Sequence, residues 1–412
     1  MLDGRLFVRT ASCWLIAVAG FSSFALAGDW RQFRGNDTSC VADGESVPDR
    51  WSADENLAWT ADLPGRGLSS PIVIGDRVVV TSATGYRQDR LHVVCFAVDD
   101  GKLLWQRQFQ ATGRTMTFPK IGTATSTPAS DGRRICALFS CNDLVCLDLD
   151  GNLLWYRGLN YDYPNVSNSL GMASSPVIVG ETLIAQVEND SESLAVGIDV
   201  NTGLSRWTSP RPKRANWTSP VVLAGANADE TVVLLQSSQG IDAIRPESGE
   251  VVWTYHDGAS TIPSSIAAEG TIYVPSHGIT ALRIAPGSRN PERLWRVDRL
   301  GPGTSSPLVY RNRLYTLNRS NVLLCADLKD GSTLWQLRLE GPFSSTPVAA
   351  DGHLYFFNEK GLGQVVKVGE SQGELASTYD FGEMILCTPA IANHALYVRS
   401  DKHLWKIART AK

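Results

Sequence analysis

Residues 304–339, TSSPLVYRNRLYTLNRSNVLLCADLKDGSTLWQLRL, carry the pattern that decides the fold. Ser305-Ser306-Pro307 opens a short apolar run at Leu308 and Val309. A turn at Arg311-Asn312-Arg313 leads into 314–317, and polar 318–321 turns the chain back into 322–328. Lys329-Asp330-Gly331-Ser332 then turns into 333–339, which carries Trp335. Short β-rich runs bounded by turn residues predict four antiparallel strands joined by hairpins. Asp-Gly supplies the positive φ that a two-residue hairpin turn demands. A lone four-stranded sheet has two apolar faces and nowhere to bury them, so the unit needs neighbours.

Those neighbours are in the chain. The slot of Pro307 recurs at Pro71, Pro128, Pro176, Pro220, Ser265, Pro347 and Pro389, at intervals that run by subtraction from 40 (307 to 347) to 57 (71 to 128). Seven residues beyond the slot stands an apolar residue opening the second strand, as at Val78, Ile135, Leu183, Ile272, Leu314, Leu354 and Leu396. The Pro220 copy departs from this because 225–230 lengthen its first turn. The Trp slot recurs as Trp105, Trp155, Trp207, Trp253, Trp295 and Trp335, and it is degraded near Ser377 in the copy that follows Pro347. The last copy lacks a fourth strand, while Asn56-Leu57-Ala58-Trp59 supplies one ahead of the first copy. Four-strand repeats of this length predict an all-β, eight-bladed propeller whose ring is closed by an N-terminal strand, leaving no free sheet edge.

Three segments are expected: an export signal at 1–27, an N-terminal extension at 28–55 and the propeller at 56–412. Arg5 and Arg9 precede a mostly apolar stretch at 11–19, and Ala25-Leu26-Ala27 fits a small-x-small cleavage site. Gly28, not Cys, follows that site, so a lipid anchor there is not expected. No later apolar run is long enough to cross a bilayer. The mature chain is expected to be exported to the periplasm or beyond, as a monomer with no integral membrane segment. Its formal charge moves from −4 to −5 when Asp3, Arg5 and Arg9 (net +1) are removed. That balance argues against nucleic-acid binding, which favours a basic stripe.

Eight cysteines less Cys13 leave seven. Cys95, Cys146 and Cys325 share one slot in the third strand and read as small buried hydrophobes. Cys136 and Cys141 are candidates for a bridge in an oxidising compartment, a question the sequence leaves open.

Ahead of the first copy stands Asp29-Trp30-Arg31-Gln32-Phe33-Arg34-Gly35, followed by Val47-Pro48, Trp51, Leu63-Pro64-Gly65-Arg66-Gly67 and Ser69-Ser70-Pro71. Turns such as Asp99-Asp100-Gly101-Lys102-Leu103-Leu104-Trp105, and Asn201-Thr202-Gly203 through Trp207, match in style. Together they resemble secreted bacterial proteins of the quinoprotein-like (PQQ-like repeat) propeller family. That family includes pyrroloquinoline-quinone alcohol dehydrogenases and the propeller lipoprotein of the outer-membrane barrel-assembly machinery. The resemblance spans essentially the whole mature chain.

Strand order puts the first and third turns of every copy on one face. These are short and alike, and they read as tight hairpins and nothing more. The second turns and the links between copies fall on the other face, where length and chemistry vary. Long loops on a rigid scaffold concentrate recognition residues. The binding-face candidates are Arg66, Lys120, Tyr161, Tyr163, Asn168, Lys213, Arg214 and Trp217, a mixture of aromatic, cationic and amide groups suited to a protein loop or polar ligand. The repeated Trp59, Trp105, Trp155, Trp207, Trp253, Trp295 and Trp335 are structural.

Catalytic patterns are missing. The six histidines show no HExxH spacing, and no Gly-x-Ser-x-Gly elbow occurs. Asp148-Leu149-Asp150-Gly151-Asn152 lacks the ligand pattern and distant Glu of a calcium loop. No metal site and no catalytic residue are assigned. The resemblance implies, for the dehydrogenases, a vicinal disulfide over the quinone and calcium held by Glu, Asn and Asp; this chain has no adjacent cysteines. The expected function is a non-enzymatic exported scaffold that binds a protein or an extracellular polymer through its variable face, without cofactor. The alternative is a PQQ- and calcium-dependent oxidoreductase of alcohols or sugars.

Overall fold

The structure, a computed structural model, describes residues 28–167, 170–225, 227, 230–285, 288 and 290–409. The expected export signal and Asn168 lie outside the described residues. Eight four-stranded antiparallel sheets make up the architecture, seven of them built from strands consecutive in sequence. Blade 1 runs through Ile72–Ile74, Arg77–Thr84, Arg90–Ala97 and Leu103–Gln110. Blade 6, the stretch read first above, is Leu308–Tyr310, Arg313–Leu317, Val322–Asp327 and Thr333–Arg338. Blades 2, 3, 4, 5, 7 and 8 open at Ala129, Val177, Val221, Ile266, Val348 and Ala390. First strands of neighbouring blades touch one another, which makes them the innermost ring. Blade 8 is completed by Leu57–Asp62 pairing antiparallel with His403–Ala408, so the ring closes through an N-terminal strand.

The repeated tryptophans explain how sheets become a ring. Trp105 Nε1 donates to the Leu149 carbonyl of the next blade at 2.9 Å, Trp155 to Val200 at 2.9 Å, Trp207 to Pro246 at 2.8 Å and Trp295 to Leu328 at 2.9 Å. Trp59, in the closing strand, does the same to Val98 of blade 1 at 2.9 Å. Each indole lies over the glycine of the receiving third turn. A Cβ on Gly101 would come within 2.7 Å of the Trp59 ring, and Gly101 also holds φ +70°. The regular third turns are therefore more than tight hairpins: they are seats for the preceding blade, and two demands, positive φ and a missing Cβ, fall on one residue. Trp253 is equally buried.

One seam lacks its tryptophan. In blade 7 the slot holds Ser377, paired across the strand with Val365. Trp51 of the N-terminal extension packs there instead, against Phe357 at 6.3 Å between ring centroids and against Tyr379 and Phe381. Ser377 Oγ donates to the Asp49 carbonyl at 2.5 Å. Elsewhere the extension crosses the end of the axis on the first-turn face. It exchanges backbone bonds with Val73, takes up Ser130 N–H through Arg31 O, and reaches Ile178 through Gln32, Val222 through Thr38 and Ala349 through Ala42. Arg34 Nη1 donates to Ser265 O at 2.8 Å, deep inside. The extension thereby plugs one end of the ring.

The seven described cysteines are buried and free. Cys95, Cys146 and Cys325 share one register slot, opposite Trp105, Trp155 and Trp335. The suggested Cys136–Cys141 pairing is replaced: Cys136 faces Cys146 across two strands, Sγ to Sγ 3.3 Å, and Cys141 Sγ donates to Asp143 Oδ2 at 2.9 Å. The side chain after a strand's turn points to the opposite sheet face from the one a bridge would need. Asp148 spends its carboxylate on its own turn, accepting from Asp150 N, Asn152 N and Asn152 Nδ2. Among the described residues no cluster of three His, Cys, Asp or Glu is placed to hold a metal.

Candidate functional site

The residue before each Pro slot is Ser or Thr in all eight copies: Ser70, Thr127, Ser175, Ser219, Ser264, Ser306, Thr346 and Thr388. All are at most 5% exposed. The backbone N–H of each of the first seven donates to the hydroxyl of the next: Ser70 to Thr127 at 2.9 Å, then Thr127 to Ser175, Ser175 to Ser219 and onward to Thr388, seven bonds of 2.9–3.2 Å. A hydroxyl that accepts an N–H keeps its own proton for another partner. The eight side chains line one cavity on the ring axis, of about 410 Å³, floored by Phe33 of the extension. It opens on the face opposite the plug.

Above the hydroxyls the wall turns apolar, through Leu68, Ile121, Ala173 and Leu386. At the mouth stand Phe118, Leu170 and Ile262, each about half exposed, with Met116 further out on the Phe118 link and Met384 on the Leu386 link. Hydrogen bonds to backbone carbonyls hold this crown in place. Phe118 N donates to Leu170 O at 2.8 Å, Ile121 N to Phe118 O at 2.8 Å, and Trp217 Nε1 to Gly171 O at 2.7 Å. Isolated exposed apolar side chains are ordinary, but a contiguous set around one opening marks a binding surface.

The predicted residues divide between this site and its surroundings. Lys120 and Trp217 both line the cavity. Lys120 Nζ pairs with Glu359 at 2.5 Å, and Ser344 Oγ donates to the same carboxylate at 2.7 Å. Arg66 lies half-buried beside Asp401, 3.4 Å away, and ties the last link to blade 8. Tyr163 is a strut, its hydroxyl 3.0 Å from Thr208 on the outer strand of blade 3. Tyr161, Lys213 and Arg214 are exposed on the same face but do not line the cavity. Arg211, from the same link, is buried with Glu188 at 2.6 Å and also bonds Asp242. Burial pushes the Glu188 carboxyl up against the pull of that guanidinium, so the pair acts as an internal brace between blades 3 and 4.

Phe33, the hydroxyl ring, Ile262 and Leu386 are absent from the residues expected from sequence. The Ser/Thr at every copy's strand start was visible as a repeat, and its periodicity was the signal that points to an axial ring. Phe33 and Ile262 carry no such signal.

A family model described as Outer membrane protein assembly factor BamB matches residues 26–216, 166–277 and 279–375. The chain belongs to this family. A BamB of Alkalilimnicola ehrlichii is 26% identical over 219 residues, covering 50% of this chain and 48% of that protein, so the match spans about half the length of the relative. Among solved structures, BamB from Moraxella catarrhalis superposes with a TM-score of 0.60 at 16% identity, over 86% of this chain and 98% of that one. A europium-containing methanol dehydrogenase gives 0.67 at 13% identity, over 90% and 89%. A quinohemoprotein alcohol dehydrogenase from Comamonas testosteroni gives 0.65 at 11%, over 93% and 81%. At these identities the structural likenesses speak for the fold alone. No helix among the described residues is long and apolar enough to cross a membrane.

The quinone group of the dehydrogenases finds a poor match in the cavity. Its described lining offers hydroxyls, aliphatic groups, the rings of Phe33, Phe118 and Trp217 and one cation already paired with Glu359, and none of the lining residues is a carboxylate that would hold calcium against a quinone.

Proposed function

We propose that the chain is an exported, periplasmic scaffold of outer-membrane protein assembly, docking a protein partner through the apolar crown around the axial mouth and working without a cofactor. The observation that carries this reading is the crown itself, where Met116, Phe118, Leu170, Ile262 and Met384 stand exposed on links that surround one opening. Aromatic and Met side chains in such a setting are the enriched chemistry of interface centres. Membership of the assembly-factor family favours a protein over an extracellular polymer as the partner. Lys213 and Arg214 lie on the same face and suit the polar rim of that interface.

The test is crosslinking in the exported fraction, identification of the captured protein, and titration of the purified pair. Phe118→Asp, Leu170→Asp and Ile262→Asp together should weaken binding by about a hundredfold or more, since a desolvated hot spot is worth 2 kcal/mol or above. They should leave the unliganded melting temperature nearly unchanged, because all three side chains are half exposed. Undiminished affinity in the triple variant would remove the crown from the interface. Added quinone with calcium should leave the melting temperature where it was; stabilisation together with dye-linked alcohol oxidation would decide for an enzyme.

A further inference from the structure

We propose that the axial cavity is a ligand site for a small amphipathic carboxylate, its head on the hydroxyl ring and its apolar tail running out along the crown. The inference goes beyond partner docking and does not depend on it. Four observations converge.

Seven of the ring hydroxyls already accept a backbone N–H, and among the described residues no protein acceptor takes their protons. These seven therefore present an arc of O–H donors, nine-tenths buried, to the space on the axis. Donors gathered in a recessed site favour an acceptor-rich group, and a charged acceptor roughly doubles the strength of each bond.

Two buried cations flank the ring. Arg34, next to Phe33 of the floor, is 1% exposed and bonds only Ser265 O, beside ring residue Ser264, leaving Nε and Nη2 unpartnered. Arg399 is fully buried and bonds Ser69 O and Oγ, beside ring residue Ser70, as well as Thr81 O and Ser400 O. Among the described residues neither guanidinium forms an ion pair with a carboxylate, and carbonyl dipoles do not neutralise a buried charge. Lys120 and Glu359 at the mouth cancel one another. The two guanidiniums beside the ring add positive charge, and no carboxylate stands in the lining to repel an anion.

The upper wall selects the rest of the ligand. Leu68, Ile121, Leu170, Ile262 and Phe118 offer a continuous apolar path from ring to surface, and a wholly polar anion would leave it wet. A cavity of about 410 Å³ takes a head group and a tail of several carbons.

The experiment uses the chain from residue 28 and three probes of equal length: octanoate, octanol and octyltrimethylammonium. Titration calorimetry and thermal shift should show one octanoate per chain, bound about tenfold or more tightly than octanol, with no shift from the cation. Ser219→Ala with Ser264→Ala should bring octanoate down to the level of octanol. Because the double variant removes two inter-blade bonds, Ile262→Glu serves as the second variant: it adds a carboxylate at an exposed mouth position and should weaken octanoate while sparing octanol. Equal affinity for octanoate and octanol, or no binding of either, would overturn the proposal, whatever becomes of partner docking.

Discussion

The seam between blades 6 and 7 and the seam between blades 7 and 8 do the same job with different parts. In the first, Trp335 of the repeat donates to Gly369 O at 3.2 Å and lies over Gly373, which has no Cβ to obstruct it. In the second, the repeat offers only Ser377, and Trp51 arrives from more than three hundred residues away in sequence to fill the space among Phe357, Tyr379 and Phe381. The difference teaches that inter-blade packing tolerates any source of aromatic volume, provided the backbone leaves room for it. It also ties the extension to the ring, because a blade that lost its own tryptophan depends on a borrowed one.

The strongest way to break this comparison is to remove the lender. A chain beginning at residue 63 loses both the extension and the closing strand, and it should lose cooperative unfolding and associate through the bared edge of His403–Ala408. Light scattering and circular dichroism check this; a monomer with an unchanged melting temperature would mean closure by another route. Next come the two indoles. Trp335→Ala and Trp51→Ala should each cost roughly 3–5 kcal/mol in denaturant titration, through lost burial and a cavity. If Trp51→Ala costs under about 1 kcal/mol, the borrowed residue is ornament and the seventh seam is held otherwise.

A finer cut separates the seat from its backbone. Gly101 and Gly270 share φ +70°, but a Cβ on Gly101 meets the Trp59 ring at 2.7 Å, whereas nothing lies within 4 Å of one on Gly270. Gly270→Ala should cost about 1–2 kcal/mol for the left-handed backbone alone. Gly101→Ala should cost about 1–3 kcal/mol more for overpacking, and equal costs would mean the indole moves aside freely. The smallest effect concerns acid. Asp199 braces the turn that seats Trp155, accepting from Asn201 N and Thr202 N, and its bond from Arg206 holds its carboxyl down at about 2. A depressed carboxylate contributes its stability above the unfolded value near 4 and loses it as pH falls toward 2. Asp199→Asn should therefore flatten the acid limb by on the order of 1 kcal/mol between those values, part of the shift being screened by solvent.

Much of the ring was legible in the sequence because a repeat restates the same physics eight times. Pro slots, Trp slots and Asp-Gly turns gave the blades and their number, and the misplaced fourth strand at Leu57–Asp62 gave the closure. The site was legible only where it too repeats. Ser and Thr ahead of every Pro slot form a periodic ring, yet a hydroxyl at a strand start reads locally as a turn residue. Lys120 and Trp217, chosen for their chemistry, line the cavity. Tyr163 and Arg211 carry the same chemistry and are internal struts, since loop residues of one composition serve binding or bracing according to which way a link folds back. Phe33 and Trp51 lie outside the repeat, so no periodicity announces what they fill.

The indole of Trp59 lends the closing strand a place to wait. Its bond to Val98 links residues only 39 apart, whereas the pairing of Leu57–Asp62 with His403–Ala408 spans nearly the whole chain. As the protein emerges from its N-terminus, blade 1 can form and hold that strand against its side long before its pairing partner exists. The entropy of closing the ring is then set against a strand already fixed in position and orientation, not against a free end. Blade 8 is in this sense templated: the last residues to be made find their sheet edge laid down by some of the first.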